Sequence, residues 1–120
     1  MKRFYETADT APAEWGHTVR LDGRPVKTPR RRPLILPTVR LAELVAAEWA
    51  AQGEVVEPDD MRVNRLATTA IDLMPERRSG AVEQVVAYAE TDLLCYRAAF
   101  PGELAAAQAR HWDPPLDWLA

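Results

Sequence analysis

The nine residues Leu21–Pro29, LDGRPVKTP, hold a turn signal, two prolines and two cations. Asp22-Gly23 is a strong two-residue hairpin signal, because a type I′ turn requires positive φ at both central positions and these residue types tolerate it. That turn sets Leu21 opposite Arg24, Arg20 opposite Pro25, Val19 opposite Val26 and Thr18 opposite Lys27. Side chains alternate along a strand, so Val19, Leu21 and Val26 share an apolar face with Arg24 at its rim, while Arg20 and Lys27 stand on the other. Pro25 has no N–H, and in this register the missing donor points away from the partner strand, which marks an edge.

Outward from the hairpin, Arg3 to Thr7 reads as a short aromatic strand and Ala8 to Gly16 as its loop. Pro29 to Pro33 is a basic turn, and Leu34-Ile35-Leu36 a short apolar strand closed by Pro37. From Thr38 the period changes: Leu41, Leu44, Val45 and Trp49 mark one helix face, with Thr38 as N-cap and Gly53 at the stop. Asp59 or Asp60 caps a second helix, Val63 to Met74, which Pro75 ends. Ser79 caps a third, with Val82, Val85, Val86 and Ala89 inward, running to Glu90. Asp92 to Arg97 is ambiguous between strand and helix and leans to extended. A fourth helix runs from Gly102 to His111 behind Pro101, and Pro114-Pro115 breaks it before a last turn, Leu116 to Leu119. The fold predicted is α+β: a small N-terminal antiparallel β-sheet over 1–37, then an α-helical bundle over 38–120, as one compact unit.

The chain has 120 residues, 48% hydrophobic and 28% charged, in the range of one globular domain. No stretch approaches a membrane helix in length, and the start lacks a signal peptide's apolar region, which predicts a soluble, non-secreted protein. The single Cys95 agrees with a reducing compartment and reads as buried and inert. Residues 1–40 carry nine Lys/Arg against four Asp/Glu, and residues 41–120 carry six against fourteen. Such asymmetry marks either a basic binding face or two halves that attract each other.

No metal site is predicted, since His17, His111 and Cys95 lie far apart in the sequence. Neither phosphate-loop motif is present, and no serine has a nucleophile-elbow context. Asp72, Glu90 and Asp92 suit an acid/base pair, but suit capping or pairing with Arg65, Arg77 or Arg97 better. Arg30-Arg31-Arg32, with Arg20, Arg24, Lys27, Tyr5 and Trp15, is the best candidate for nucleic-acid binding. Against it stand a sequence pI near 5.4 and the acidic second half. Trp15, Trp112 and Trp118 either pack on the core or act as interface anchors.

Four stretches, LDGRPVKTP at 21–29, LATTAID at 66–72, TDLLCYRA at 91–98 and HWDPPLDWL at 111–119, together resemble the assembly chaperones that attend the alpha subunit of the F-type ATP synthase catalytic head. KRFYE at 2–6 and AEWAAQGE at 47–54 fit as well. The resemblance covers nearly the whole chain. It implies an antiparallel sheet followed by helices, no catalysis, no cofactor, and a monomer that holds the unassembled alpha subunit until the beta subunit replaces it. It implies neither nucleic acid nor membrane insertion, and a location in bacterial cytoplasm or, for a eukaryotic member, the mitochondrial matrix. The alternative function is a nucleic-acid-binding module using the basic sheet. The family continues through further helices, which implies a fragment or an abbreviated member, and it has Leu where Pro115 stands here.

Within this resemblance Arg24, Lys27 and Arg97 meet acidic or carbonyl groups of a client, and Trp112 is an apolar anchor. Asp22, Gly23, Pro25, Asp72, Asp92, Tyr96 and Asp113, in the same motifs, are structural or partner-binding. The rival reading has Arg24 and Arg97 pairing with Asp72 or Asp92 to lock sheet against helices.

Overall fold

The hairpin forms as its turn residues dictate. In the computed structural model, which describes residues 1–120, Asp22 and Gly23 take φ of 48° and 79°. Strands β2 (Gly16–Leu21) and β3 (Arg24–Pro25) pair antiparallel, with Leu21 opposite Arg24 and Arg20 opposite Pro25. The Val26 amide continues the pairing by donating to the Val19 carbonyl at 2.9 Å. Val19 and Leu21 are buried and Val26 half-buried, so the alternation falls on the expected face.

The third strand lies elsewhere than expected. Strand β1 is Ala8–Ala13, paired with β2 from Ala8 opposite Leu21 to Ala13 opposite Gly16, giving the order β1-β2-β3. Pro12 made this stretch read as loop, yet it sits opposite His17 at a position whose donor points off the ladder. The His17 amide, pointing away from β1 likewise, donates to the Leu36 carbonyl at 2.9 Å. Arg3 to Thr7 is no strand of the sheet: Lys2 bridges Val55, and the Arg3 amide donates to the Glu54 carbonyl at 2.8 Å. Leu34 and Leu36 are buried, but their segment makes only isolated bridges to the hairpin.

Helix α1 (Val39–Ala50) starts where Thr38 caps it, its hydroxyl accepting from the Leu41 amide at 3.2 Å. Its buried stripe is Ala42, Val45 and Ala46, with Leu41 and Trp49 half-buried, and Leu44 faces outward. These residues close over Val19, Leu34 and Leu36 to form the main core, and Tyr5, Leu21, Val56 and Met61 form a second.

Helix α2 (Arg62–Ala89) is continuous through Pro75, where two helices were expected. Its cap is neither Asp59 nor Asp60. The Glu48 carboxylate of α1 accepts from the Val63 and Asn64 amides, both at 2.8 Å, placing an anion on the positive end of the helix. Pro75 cannot donate to the Ile71 carbonyl four residues earlier, which in most helices kinks or stops the run. Here Arg32 Nη1 donates to that carbonyl at 3.0 Å, and Arg30 Nη1 to the Asp72 carbonyl at 3.2 Å. Arg32 thus supplies the donor that proline lacks, and Arg30 adds a second bond one carbonyl further on.

The chain divides into two compact units, Met1–Arg77 and Arg78–Ala120. In the second, Val82, Val85 and Val86 are exposed, not inward as expected, because no part of this unit covers them. Leu93–Cys95 is a 3-10 turn instead of a strand, its first turn held by the Asp92 carboxylate accepting from the Leu94 amide at 2.9 Å. Cys95 is exposed rather than buried, since a surface turn offers no apolar enclosure. Helix α3 (Gly102–Leu119) runs unbroken through Pro114-Pro115. Proline's fixed φ is helical, and the carbonyls it strips of donors, those of Arg110 and His111, belong to exposed residues that water can serve.

Candidate functional site

All the residues of LDGRPVK except Gly23 line a recess of the first unit, a partly open groove of about 550 Å³. One wall is the hairpin, with Leu21, Arg24, Pro25, Val26 and Lys27. The other is aromatic, with Phe4 and Tyr5 from the N-terminal segment and Trp49 from α1. These rings meet edge to face: Phe4 and Tyr5 centroids lie 5.3 Å apart, Tyr5 and Trp49 5.7 Å. Such T-shaped contacts favour the positive edge of one ring over the negative face of the next.

The polar atoms beneath the rings are satisfied, which fixes the wall. The Tyr5 hydroxyl donates to the Trp49 carbonyl at 2.7 Å, and the Trp49 indole N–H to Asn64 Oδ1 at 3.2 Å. Burial pushes the Tyr5 phenol above its ordinary pKa, opposed by the nearby Arg3 guanidinium. Arg3 stacks over the Tyr5 ring at 4.6 Å and donates to the carbonyls of Tyr5, Glu6 and Gln52. It staples the segment to the end of α1.

One carboxylate ties the two walls together. Asp22 Oδ1 accepts from the Thr7 amide at 2.8 Å, the Thr7 hydroxyl at 3.0 Å and the Glu6 amide at 3.0 Å. The Thr7 amide bond chiefly holds this carboxyl below the usual aspartate range, with desolvation opposing it and the Glu6 amide, the Thr7 hydroxyl and Arg3 helping. Asp22 is therefore turn former and clamp at once. Arg24 and Lys27 stand exposed on the rim, and neither side chain has an ion-pair or hydrogen-bond partner.

The remaining candidates fall into two other places. Asp72 is buried in the first unit, where it accepts from the Thr28 hydroxyl at 2.6 Å and the Arg30 amide at 3.1 Å. Arg30 and Arg32 reach over α2 to its carbonyls and to Glu76, at 3.4 and 3.8 Å, so two members of the Arg30-Arg31-Arg32 run are spent on the helix. Arg31 is exposed with φ of 62°. In the second unit Arg97 pairs with Asp113 at 2.8 Å, stacks on Trp112 at 5.4 Å and donates to the Leu94 carbonyl. The Tyr96 hydroxyl donates to the Glu90 carbonyl at 3.1 Å.

Within the units, Arg24 does not pair with Asp72, nor Arg97 with Asp92. Asp72 is filled by a closer hydroxyl and amide, Asp92 caps its own turn, and Arg97 has Asp113. Phe4, Leu21, Val26 and Trp49 went unrecognised as site residues. The only sequence signals for them were that Leu21 and Val26 flank the turn, Trp49 lies near a helix end and Phe4 belongs to the aromatic N-terminal segment.

The class of molecule is thus an α+β protein with an aromatic, cation-rimmed groove at a sheet edge. Residues 2–120 match the family described as ATP12 chaperone protein, and the chain belongs to that family. Structures of ATP12 from Paracoccus denitrificans, one of them a point mutant, are 41% identical to it, with TM-scores of 0.75 and, for the mutant, 0.76. Each match covers 98% of this chain and 50% of the other. A protein of Agrobacterium tumefaciens described as a candidate chaperone is 45% identical, with a TM-score of 0.73, over 98% of this chain and 44% of that one. The chain spans about half the length of these solved relatives.

Proposed function

We propose that this chain is an assembly chaperone that holds the unassembled alpha subunit of the F-type ATP synthase catalytic head until the beta subunit takes its place. It works in bacterial cytoplasm, as a monomer and without catalysis. Family membership supports the assembly role. The observation that carries the binding role is the groove, where rings are fixed from beneath and Arg24 and Lys27 stand uncommitted. An orphan subunit exposes surface meant for a neighbour, and such apolar surface drives aggregation. Reversible cover needs aromatic anchors and charges that set register. Arg97, aligned by Asp113 on the half-buried Trp112, offers a second contact point in Arg78–Ala120.

The test is light scattering of purified alpha subunit at a temperature where it aggregates alone. The chain is expected to suppress scattering at near-stoichiometric amounts and to release the subunit when beta is added. Unchanged scattering refutes the proposal.

A further inference from the structure

We infer that the groove takes an extended acidic peptide segment, one apolar side chain seated against Phe4 and Trp49 and carboxylates meeting Arg24 and Lys27. The inference deepens the chaperone reading and rests on it only for who owns the segment. Four observations lead to this occupant.

The first is charge. Asp22 is the other ionised group lining the groove, and its negative charge is offset by the neighbouring Arg3 guanidinium, both being held by local hydrogen bonds. The net field an incoming chain meets is therefore that of the two free cations, Arg24 and Lys27. The second is shape. The recess is partly open along an edge, which admits a chain passing through better than it encloses a small molecule.

The third is the edge itself. Pro25 presents no donor, so an occupant cannot extend the sheet by regular pairing at that residue, and side chains must hold it. The fourth concerns the rival polyanion. A nucleic-acid strand needs cations repeated along its backbone. Arg30 and Arg32 are bound to α2, and Met1–Arg77 as a whole carries twelve Lys/Arg against twelve Asp/Glu. Two rim cations over aromatic rings suit a short acidic segment better than a phosphate backbone.

The experiment uses the full 120-residue chain and a fluorescein-labelled synthetic peptide rich in Glu and Asp around a central Leu. The same peptide with Lys replacing each acid, and labelled oligothymidylate, serve as competitors of other chemistry. Anisotropy gives the affinity, and the Trp49 indole N–H resonance reports the place. The acidic peptide is expected to bind, to shift that resonance and to weaken with salt, while neither of the other probes binds comparably. The double variant Arg24→Glu/Lys27→Glu is expected to raise Kd by roughly tenfold or more, since each exposed pair contributes only part of that. Both residues are exposed and unpartnered, so the melting temperature should hold, and the milder Arg24→Gln and Lys27→Gln variants should each show a part of the loss. Equal binding of the lysine peptide, tighter binding of oligothymidylate, or no response to charge reversal overturns the inference.

Running the alpha-subunit scattering assay beside it separates the two readings. If the acidic peptide binds as described but the subunit still aggregates, the groove's specificity stands and the chaperone role falls. If the double variant protects the subunit as well as the unmodified chain does, the chaperone role stands and the groove inference falls.

Discussion

Every buried residue of the molecule lies between Tyr5 and Asp72, within Met1–Arg77, and none lies in Arg78–Ala120. The first unit is held by contacts between residues far apart in sequence, such as Tyr5 with Trp49 and Thr28 with Asp72. The second is held locally, by the Asp92 cap, by Gln108 Oε1 accepting from the Ala98 amide at 2.8 Å, and by Arg97 with Asp113. The contrast teaches that helices can be fully formed by capping and short-range pairs while their apolar residues stay in water. Burial is what adds a cooperative core, and here only one unit has it.

The sharpest way to break that contrast is a pair of truncations. Leu34 is fully buried, and Leu34→Ala should cost about 3 kcal/mol through lost transfer energy plus a cavity. Val85, 71% exposed, should change stability by less than about 0.5 kcal/mol when replaced by Ala. Urea unfolding of both variants decides the matter, and similar costs would erase the distinction.

Next comes Asp72→Ala, which strands the Thr28 hydroxyl and the Arg30 amide at a buried site. A loss of about 2 kcal/mol is expected. A smaller effect belongs to the proline in α2. Arg32→Ala should cost about 1 kcal/mol, because its side chain is partly exposed. The cost should shrink in a Pro75→Ala background, where residue 75 regains the amide that Ile71 lacks. A double-mutant cycle measures this, and additive costs would mean that Arg32 does not replace the missing donor.

In the second unit Arg97→Ala should cost under about 1 kcal/mol, since the pair with Asp113 is solvent-exposed. It should leave Met1–Arg77 unchanged by hydrogen exchange. The gentlest effect appears only in acid. The carboxyls of Asp22, chiefly through the Thr7 amide, and Asp9, chiefly through Arg20, are held below their ordinary pKa. Their stabilising contribution is therefore complete above about pH 4, the unfolded value, and is lost as pH falls through the folded values. Melting temperatures between neutral and strongly acid pH should fall in this window, and Asp22→Asn should flatten part of the fall.

Much of the fold was legible because single residues carried strong local information. Asp22-Gly23 set the β2–β3 register, and Thr38 with the apolar period set α1. Three of the misreadings share one cause: at Pro12, Pro75 and Pro114-Pro115 proline was taken as a stop. At Pro12 the unused donor position points off the ladder, at Pro75 Arg32 from a distant turn replaces it, and at Pro114 and Pro115 water can. None of these rescues is visible without the third dimension. The groove was half legible. Arg24 and Lys27 followed from the turn, whereas the aromatic wall depends on Tyr5 meeting Trp49, a contact across 44 residues that no local pattern encodes.

Asp22 has a consequence that reaches beyond stability. Because one carboxylate both bends the hairpin and grips Glu6 and Thr7, a substitution that preserves the bend but removes the acceptor, such as Gly, still loosens the opposite wall, and Asn, a neutral acceptor, weakens the grip. Turn geometry and groove width are thereby inherited as one trait. Lineages that alter position 22 are expected to alter position 7 with it, and a register of such paired changes would be the historical imprint of the clamp.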